Sequence, residues 1–245
     1  MSGGAVLILG ARSDIGLAIA HAFAAEGHPI RLAARAPERL AEARADLALR
    51  HGVEVTLHPF DALAYAEHAA FLDALPELPE IAVCAVGLLG DQRRSETDMD
   101  AARLVMRTNF EAPASILGLL ANRFEARGSG TIVGIASVAG DRGRATNYVY
   151  GAAKAGLAAW LSGLRNRLAG KGVHVLTVKP GFVATRMTET MDLPARLTAQ
   201  PEEVGHAVLR AVRRRRNVIY VRPVWRLIMA IIRAIPEPLF KRMRI

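Results

Sequence analysis

The sequence predicts an α/β fold, a doubly wound parallel sheet of about seven strands with helices on both faces. Three observations carry the prediction. Short apolar runs alternate with longer helix-period stretches along nearly the whole chain. The first run, Ala5 to Leu9, passes at once into a glycine turn and an alanine-rich helix, as a buried parallel strand does. The length of 245 residues, 51% of them apolar, suits a single large domain with a substantial core.

In chain order, strand Ala5 to Leu9 leads through Gly10-Ala-Arg-Ser-Asp-Ile-Gly16 into a helix ending near Gly27. Strand Ile30 to Ala34, helix Pro37 to Arg50, strand Val53 to His58, helix Ala62 to Leu75 and strand Ile81 to Val86 follow. Two helices are expected next, near Asp98 to Asn109 and Ala112 to Arg127, then strand Thr131 to Ala136. A helix containing Tyr150 runs to about Ala169, strand Val173 to Val178 follows, and an irregular segment begins at Pro180. Helix Pro201 to Arg213, a short strand Val218 to Val221 and a last helix from Val224 complete the series. Such repeats imply right-handed crossovers. We divide the chain into a sheet domain, 1–223, and a basic amphipathic tail, 224–245. The tail belongs either to the same domain or to a membrane or subunit contact.

Two stretches carry chemistry. A glycine turn between a strand and a helix N-terminus suits a pyrophosphate, which the backbone N–H groups and the helix dipole would face. The second stretch is Asn147-Tyr-Val-Tyr-Gly-Ala-Ala-Lys154, with Ser137 thirteen residues before Tyr150. On a helix, Tyr150 and Lys154 are four apart and share a face. The ammonium is expected to lower the phenol pKa from about 10 toward the operating pH, as proton exchange with an alcohol/ketone pair requires. Ser137 closes an apolar run, so its hydroxyl would stand at a strand's carboxyl end, where open α/β sheets bind ligands. A Tyr and a Lys on a solvated helix face would give the same spacing. Tyr148 does not substitute for Tyr150, because it lies six residues from Lys154 on another face.

With these motifs in this order, the chain resembles the short-chain dehydrogenase/reductase family over essentially its whole length. The resemblance implies a Rossmann-like fold, a nicotinamide cofactor, a homo-oligomer and oxidoreductase chemistry on CH–OH and C=O groups. The family's Ser, Tyr-x-x-x-Lys and Asn tetrad maps onto Ser137, Tyr150, Lys154 and Asn109. Its Pro-Gly-x-x-x-Thr segment maps onto Pro180, Gly181 and Thr185, with Val183 inside it, and Asp61 matches the acid that touches adenine. Cofactor contacts are therefore expected from Gly10, Arg12, Ser13, Asp14, Ile15, Gly16, Arg35, Asp61, Ala85 and Gly87. Tyr150, Lys154, Pro180, Gly181, Val183 and Thr185 complete the expected set. In the implied mechanism Tyr150 protonates the alkoxide, Ser137 hydrogen-bonds that oxygen and Lys154 binds the nicotinamide ribose. Asn109 would hold a water that resupplies the proton.

Two positions depart from the family pattern. Asp14 replaces the usual middle glycine, where its carboxylate either weakens pyrophosphate binding or caps the helix; capping is the preferred reading, since Asp suits that position. Cys84-Ala-Val-Gly87 stands for Asn-Asn-Ala-Gly, which loses side-chain hydrogen bonds but keeps Gly87 for close approach. Cofactor choice follows from charge. The second strand ends in Ala34-Arg35 with no acid for a ribose 2′-hydroxyl, and Arg12 lies in the glycine turn. Two cations there favour NADP(H), with NAD(H) as the alternative if Arg35 only solvates a loop.

Four strings carry a closer resemblance: Val86 to Asp91, Tyr148 to Lys154, Lys179 to Met187 and Ile235 to Ile245. They look like the decaprenylphosphoryl-2-keto-erythro-pentose reductases, which complete the epimerisation of polyprenyl-phosphate ribose to arabinose. Those enzymes also carry an acid at the middle-glycine position. The resemblance implies a lipid-linked keto-sugar substrate, a flavin-dependent oxidase partner that supplies it, and NADH as reductant, against the reading of Arg12 and Arg35. The rival readings are a reductase of small soluble ketones or acyl thioesters, and a non-catalytic nucleotide-binding scaffold. The complete tetrad argues against the scaffold.

The net charge of +9 belongs to the C-terminal stretch Arg213 to Ile245, which holds ten basic residues and one acid, Glu237. Trp225, Ile228, Met229, Ile232 and Ile235 share a helical face, with Arg226 and Arg233 on the other and Lys241, Arg242 and Arg244 beyond. This pattern fits a helix in an anionic membrane interface, and equally one that completes a core or subunit contact. Met187, Thr188, Met191 and Leu193 are candidates for an apolar lid or an ordinary surface loop. The tail has no aromatic platform for nucleic acid. One cysteine and seven histidines without H-x-x-H spacing point to no metal site and to a reducing compartment. No apolar run reaches the roughly 20 residues of a membrane span, and the run Ala5 to Leu9, which lacks a basic stretch before it and enters a glycine turn, is expected to be a strand rather than a signal peptide. A cytoplasmic protein is expected, with peripheral contact on the inner face of the plasma membrane.

Overall fold

The computed structural model describes residues 3–243. Strands β1 (Val6–Leu9), β2 (Ile30–Ala34) and β3 (Val55–Pro59) alternate with helices α1 (Asp14–Ala24) and α2 (Ala41–His51). Helix α3 (His68–Asp73) leads to β4 (Ile81–Cys84), followed by α4 (Gln92–Thr97), α5 (Met99–Met106) and α6 (Ala112–Arg127). Strand β5 (Gly130–Ile135), α7 (Tyr148–Arg167) and β6 (Val173–Pro180) come next. Two short strands, β7 (Phe182–Val183) and β8 (Thr198–Ala199), precede α8 (Pro201–Arg213), β9 (Val218–Val221), α9 (Val224–Ala234) and α10 (Glu237–Phe240).

Seven strands form one sheet in the order β3-β2-β1-β4-β5-β6-β9, every neighbouring pair parallel. Alternation along the strands divides the core. Val6 and Ile8 of β1 pack with Ile19 and Phe23 of α1, Leu47 of α2 and Val204 and Val208 of α8. Leu7 and Leu9 point the other way, onto Leu117, Leu120 and Phe124 of α6 and Leu157 and Leu161 of α7. Strand order reverses between β1 and β4, so a crevice opens at their carboxyl ends, the place where such sheets bind ligands.

The structure differs from expectation in four places. The helices expected at Asp98 to Asn109 and Ala112 to Arg127 are one run, α5 and α6 joined by a π-helical turn at Arg107–Glu111. Pro113 explains the turn, since it has no N–H with which to close an α-type bond to the Asn109 carbonyl. The long helices at Pro37 and Ala62 begin as 3₁₀ turns, Pro37–Leu40 and Tyr65–Glu67. Helix α4 forms where no periodicity announced one. Its Gln-Arg-Arg-Ser-Glu-Thr sequence is polar throughout and is held by the Asp91 cap on the Arg94 N–H at 3.0 Å.

The fourth difference is the tail. The face of α9 that suited a membrane turns inward: Trp225 and Met229 are buried, and Ile228 and Ile232 pack with them against Val138, Phe182 and Tyr220. Gly181 makes this docking fit, because a Cβ there would lie 2.0 Å from the Trp225 indole. Arg142 fastens the end of the chain, donating to the carbonyls of Ile232 and Ile235 at 2.6 Å each and pairing with Glu237 at 2.8 Å. Val224, Leu227 and Ile231 form a second stripe on the outer face, and all three are exposed. Arg244 lies outside the described residues. Among the described residues no helix is long and apolar enough to cross a membrane.

Candidate active site

The chain leaves β5 through Ala136 and turns at Ser137, whose hydroxyl accepts from the Ala139 N–H at 3.1 Å and caps a 3₁₀ turn. Helix α7 then passes in front of the strand end and brings in Tyr150 and Lys154. Lys154 is 3% exposed and donates to the Ile135 carbonyl at 2.9 Å, which ties the helix to the strand that presents Ser137. Its ammonium lies 5.8 Å from the centre of the Tyr150 ring.

The electrostatics run against the expected activation of Tyr150. Burial pushes its phenol up to about 12, and a hydrogen bond with the Ser137 hydroxyl offsets only part of the shift. Lys154 is itself driven down to about 8 by burial. With its ammonium turned onto a backbone carbonyl, it does not overcome the desolvation of the phenol. In the protein alone Tyr150 is protonated, and burial leaves it a weaker acid than a free phenol.

Asn109 is fully buried inside the π turn. Its amide donates to the carbonyls of Leu88 at 2.6 Å and Val105 at 2.9 Å and accepts from the Leu88 N–H at 3.2 Å. These bonds pin the loop after β4.

One cavity of about 690 Å³ at the carboxyl edge of the sheet unites Ser137, Tyr150 and Lys154 with the glycine turn. Gly10, Arg12, Ser13, Asp14, Ile15, Arg35, Asp61, Ala85, Gly87, Pro180, Gly181, Val183 and Thr185 all line it. Gly16 and Asn109 do not; both stand behind the wall. A larger depression of about 1290 Å³ lies on the outer side of α1 around His21, Asp46 and His51, and holds none of the Ser137, Tyr150 and Lys154 group.

The turn is shaped for a dinucleotide. Gly10 has φ +80°, and a Cβ there would lie 2.8 Å from the Val86 backbone nitrogen, so β1 and β4 meet closely beneath the crevice. Ser13, not Asp14, caps α1, accepting from the Gly16 N–H at 2.9 Å. Asp14 is the first helical residue, and its carboxylate receives the Arg186 backbone N–H and Nε at 2.8 Å each. Arg186 was not anticipated; its signal was an acid beside the phosphate turn, which calls for a cation. Arg12 and Arg35 are exposed at the cavity mouth, and among the described residues neither makes an ion pair. Asp61 accepts from the Leu63 N–H at 3.0 Å beyond the end of β3. Met187 and Met191 hang over the opening, 43% and 42% exposed.

The profile of the short chain dehydrogenase family matches residues 4–194. An uncharacterized oxidoreductase of Mycobacterium tuberculosis is 41% identical over 241 residues, covering 97% of this chain and 96% of the relative. An uncharacterized oxidoreductase of Streptomyces coelicolor is 37% identical over 242 residues, covering 97% and 95%. A short-chain dehydrogenase from Sphingobium yanoikuyae, solved in complex with NADPH, superposes with a TM-score of 0.81 at 26% identity, covering 98% of this chain and 96% of that one.

Proposed function

The chain belongs to the short-chain dehydrogenase family and is an NAD(P)-dependent oxidoreductase, and we propose that it reduces the keto group of a polyprenyl-phosphate-linked 2-keto-pentose with NADP(H). The observation that carries the reading is the cavity in which a half-buried Tyr150 stands with the buried Ser137 and Lys154 beside the glycine turn.

When bound, a reduced nicotinamide would supply the hydride for the carbonyl carbon. Tyr150 gives its phenolic proton to the carbonyl oxygen as negative charge gathers there, so the products are the alcohol and the oxidised cofactor. Ser137 hydrogen-bonds the same oxygen and stabilises charge where it forms. Lys154 would hold the cofactor ribose and support the phenolate left behind, which lies in a site where burial makes that anion costly. Asn109 acts by fixing the Gly87–Leu88 loop against the cavity.

NADP(H) is favoured because Arg12 and Arg35 present two unengaged guanidinium groups where a 2′-phosphate would sit. The NADPH held by the Sphingobium structure supports the same choice. The lipid-linked substrate rests on the sequence strings quoted above and on the tail. Val224, Leu227 and Ile231 face outward with the exposed Arg226, Arg233, Lys241 and Arg242 around them, a combination suited to an anionic membrane surface. The same helix packs through Trp225 on Gly181 in the cavity wall. We read 1–223 as the catalytic domain and the tail as an extension of it that meets the inner face of the plasma membrane, where a flavin-dependent oxidase would deliver the keto-sugar. Association into a homo-oligomer belongs to the same proposal.

The test is oxidation of NADPH and NADH with a polyprenyl-phosphoryl 2-keto-pentose generated in situ by a flavin oxidase. Turnover of that substrate and not of simple ketones supports the reading. Turnover of soluble ketones or acyl thioesters alone overturns it.

A further inference from the structure

The segment between Ser137 and Tyr150 contains two polar groups that the protein leaves unserved. The Nε of Arg144 and the Oδ1 of Asn147 are buried and have no hydrogen-bond partner, and both residues line the cavity that holds Tyr150. Among the described residues the Arg144 side chain makes no ion pair and no hydrogen bond.

Each orphan has a local cause. Asn147 stands at the N-cap of α7, where its side chain would ordinarily accept a backbone N–H. It makes no such bond, and the Val149 N–H donates instead to the Gln92 side chain at 3.1 Å. Among the described residues Arg144 has no acid in reach, and Asp14 and Asp61 are the only carboxylates that line the cavity. Asp14 is taken by Arg186, and Asp61 follows β3 at the far edge of the sheet, with β2, β1 and β4 between it and β5. Burial alone, unopposed by any carboxylate, draws the guanidinium pKa down. A guanidinium remains charged in proteins all the same, and a half-buried one without a counter-ion is stabilised by an anion from outside.

We propose that Arg144 and Asn147 form the substrate-selecting subsite of this cavity, which takes an anionic, hydroxylated carbonyl compound. Its oxyanion lies on the Arg144 guanidinium and one of its hydroxyls on the Asn147 amide. The planar fork of arginine matches phosphate and carboxylate alike, while a hydroxyl both donates and accepts and so satisfies the buried end of the amide. Sugar phosphates and sugar acids share this chemistry. The proposal rests on the reading of the cavity as the site of carbonyl reduction and narrows its substrate class.

Binding can be read without turnover. Calorimetric titrations of glycerol 3-phosphate, glycerate and glycerol into the full chain, saturated with NADP⁺ so that the dinucleotide site is filled, separate anion from polyol. The wild type should bind glycerol 3-phosphate at least tenfold more tightly than glycerol. Arg144→Ala should abolish that preference, Arg144→Lys should restore part of it, and Asn147→Ala should weaken all bound probes alike. Glycerate binding as well as glycerol 3-phosphate widens the class to any oxyanion, and weaker glycerate narrows it to phosphate; both support the subsite. No anion preference in the wild type, or an undiminished one in Arg144→Ala with the circular-dichroism spectrum unchanged, overturns it. Tyr150→Phe should bind the probes as the wild type does. Anion binding that persists in a chain that reduces no keto-sugar would therefore count against the proposed function and not against the subsite.

Discussion

Arg186 grips Asp14 twice, through its backbone N–H and its Nε, both at 2.8 Å, and so joins the loop after β7 to the first residue of α1 across 172 positions of sequence. The clasp places a guanidinium and its counter-ion beside the phosphate turn. It also answers the oddity of an acid at that place, since the carboxylate is neutralised before any phosphate arrives.

Removing Arg186 alone should therefore harm cofactor binding more than removing both partners, because a bare Asp14 would face the pyrophosphate. Arg186 is 63% exposed on its side chain, so solvent screens the pair, and a coupling of no more than about 1 kcal/mol is expected. A double-mutant cycle of Asp14→Ala and Arg186→Ala on the KM for NADPH checks this. Equal effects of the single and double changes would remove Asp14 from the account.

The guanidinium groups of Arg12 and Arg35 should discriminate cofactors. Arg35→Ala is expected to raise the KM for NADPH by roughly tenfold, the loss of one charge-assisted contact, while moving that for NADH by less than about twofold. Arg35→Asp should reverse the preference, since an acid there accepts from a ribose 2′-hydroxyl. Steady-state kinetics with both cofactors measure the ratio, and an unchanged ratio in both variants would return Arg35 to a solvated loop.

Lys154 should leave a signature in stability. Its pKa falls from 10.5 to about 8 on folding, so between those values the unfolded chain holds the extra proton and stability rises with pH. Tyr150 has the opposite sign, with a pKa raised from 10.0 to about 12, and its contribution is lost as pH passes 10. The urea midpoint of the wild type should rise relative to that of Lys154→Met from pH 8 to about pH 9.5, by the proton linkage of this one group. A difference between the two proteins that stays flat or shrinks would contradict the burial of a charged ammonium.

The outer stripe of α9 should govern membrane contact without touching the body. Leu227 and Ile231 are 63% and 58% exposed, so Leu227→Glu with Ile231→Glu should leave the thermal midpoint within a few degrees. Sedimentation with vesicles of anionic lipid should fall by more than tenfold, as the apolar area lost and the charge reversed both oppose binding. If the wild type fails to sediment with such vesicles, the tail is a packing element alone.

Much of this was legible in the sequence, for reasons that differ from element to element. The buried strands were plain because parallel strands covered on both faces read as unbroken apolar runs, as Val6 to Leu9 does. Ser137, Tyr150 and Lys154 could be placed together because a strand end and a four-residue helical spacing fix where side chains go. The sign of the Tyr150 shift was not legible: spacing announces a neighbouring ammonium, but burial, which dominates, belongs to the folded environment. Asp14 was misread as a cap because Ser13, one residue earlier, already supplies that hydroxyl. The acid's partner comes from the other end of the fold. The tail's apolar face gave no direction of its own, and Gly181, by opening room for Trp225, decides that it turns inward.

The central claim is that Tyr150 donates the proton in a carbonyl reduction at this site. Single-turnover oxidation of bound NADPH by wild type and Tyr150→Phe, with the keto-sugar substrate saturating, tests it most directly. The account predicts a rate lower by about 100- to 10,000-fold in the variant, with the affinity for NADPH unchanged within about twofold. Turnover retained at the wild-type rate would contradict it.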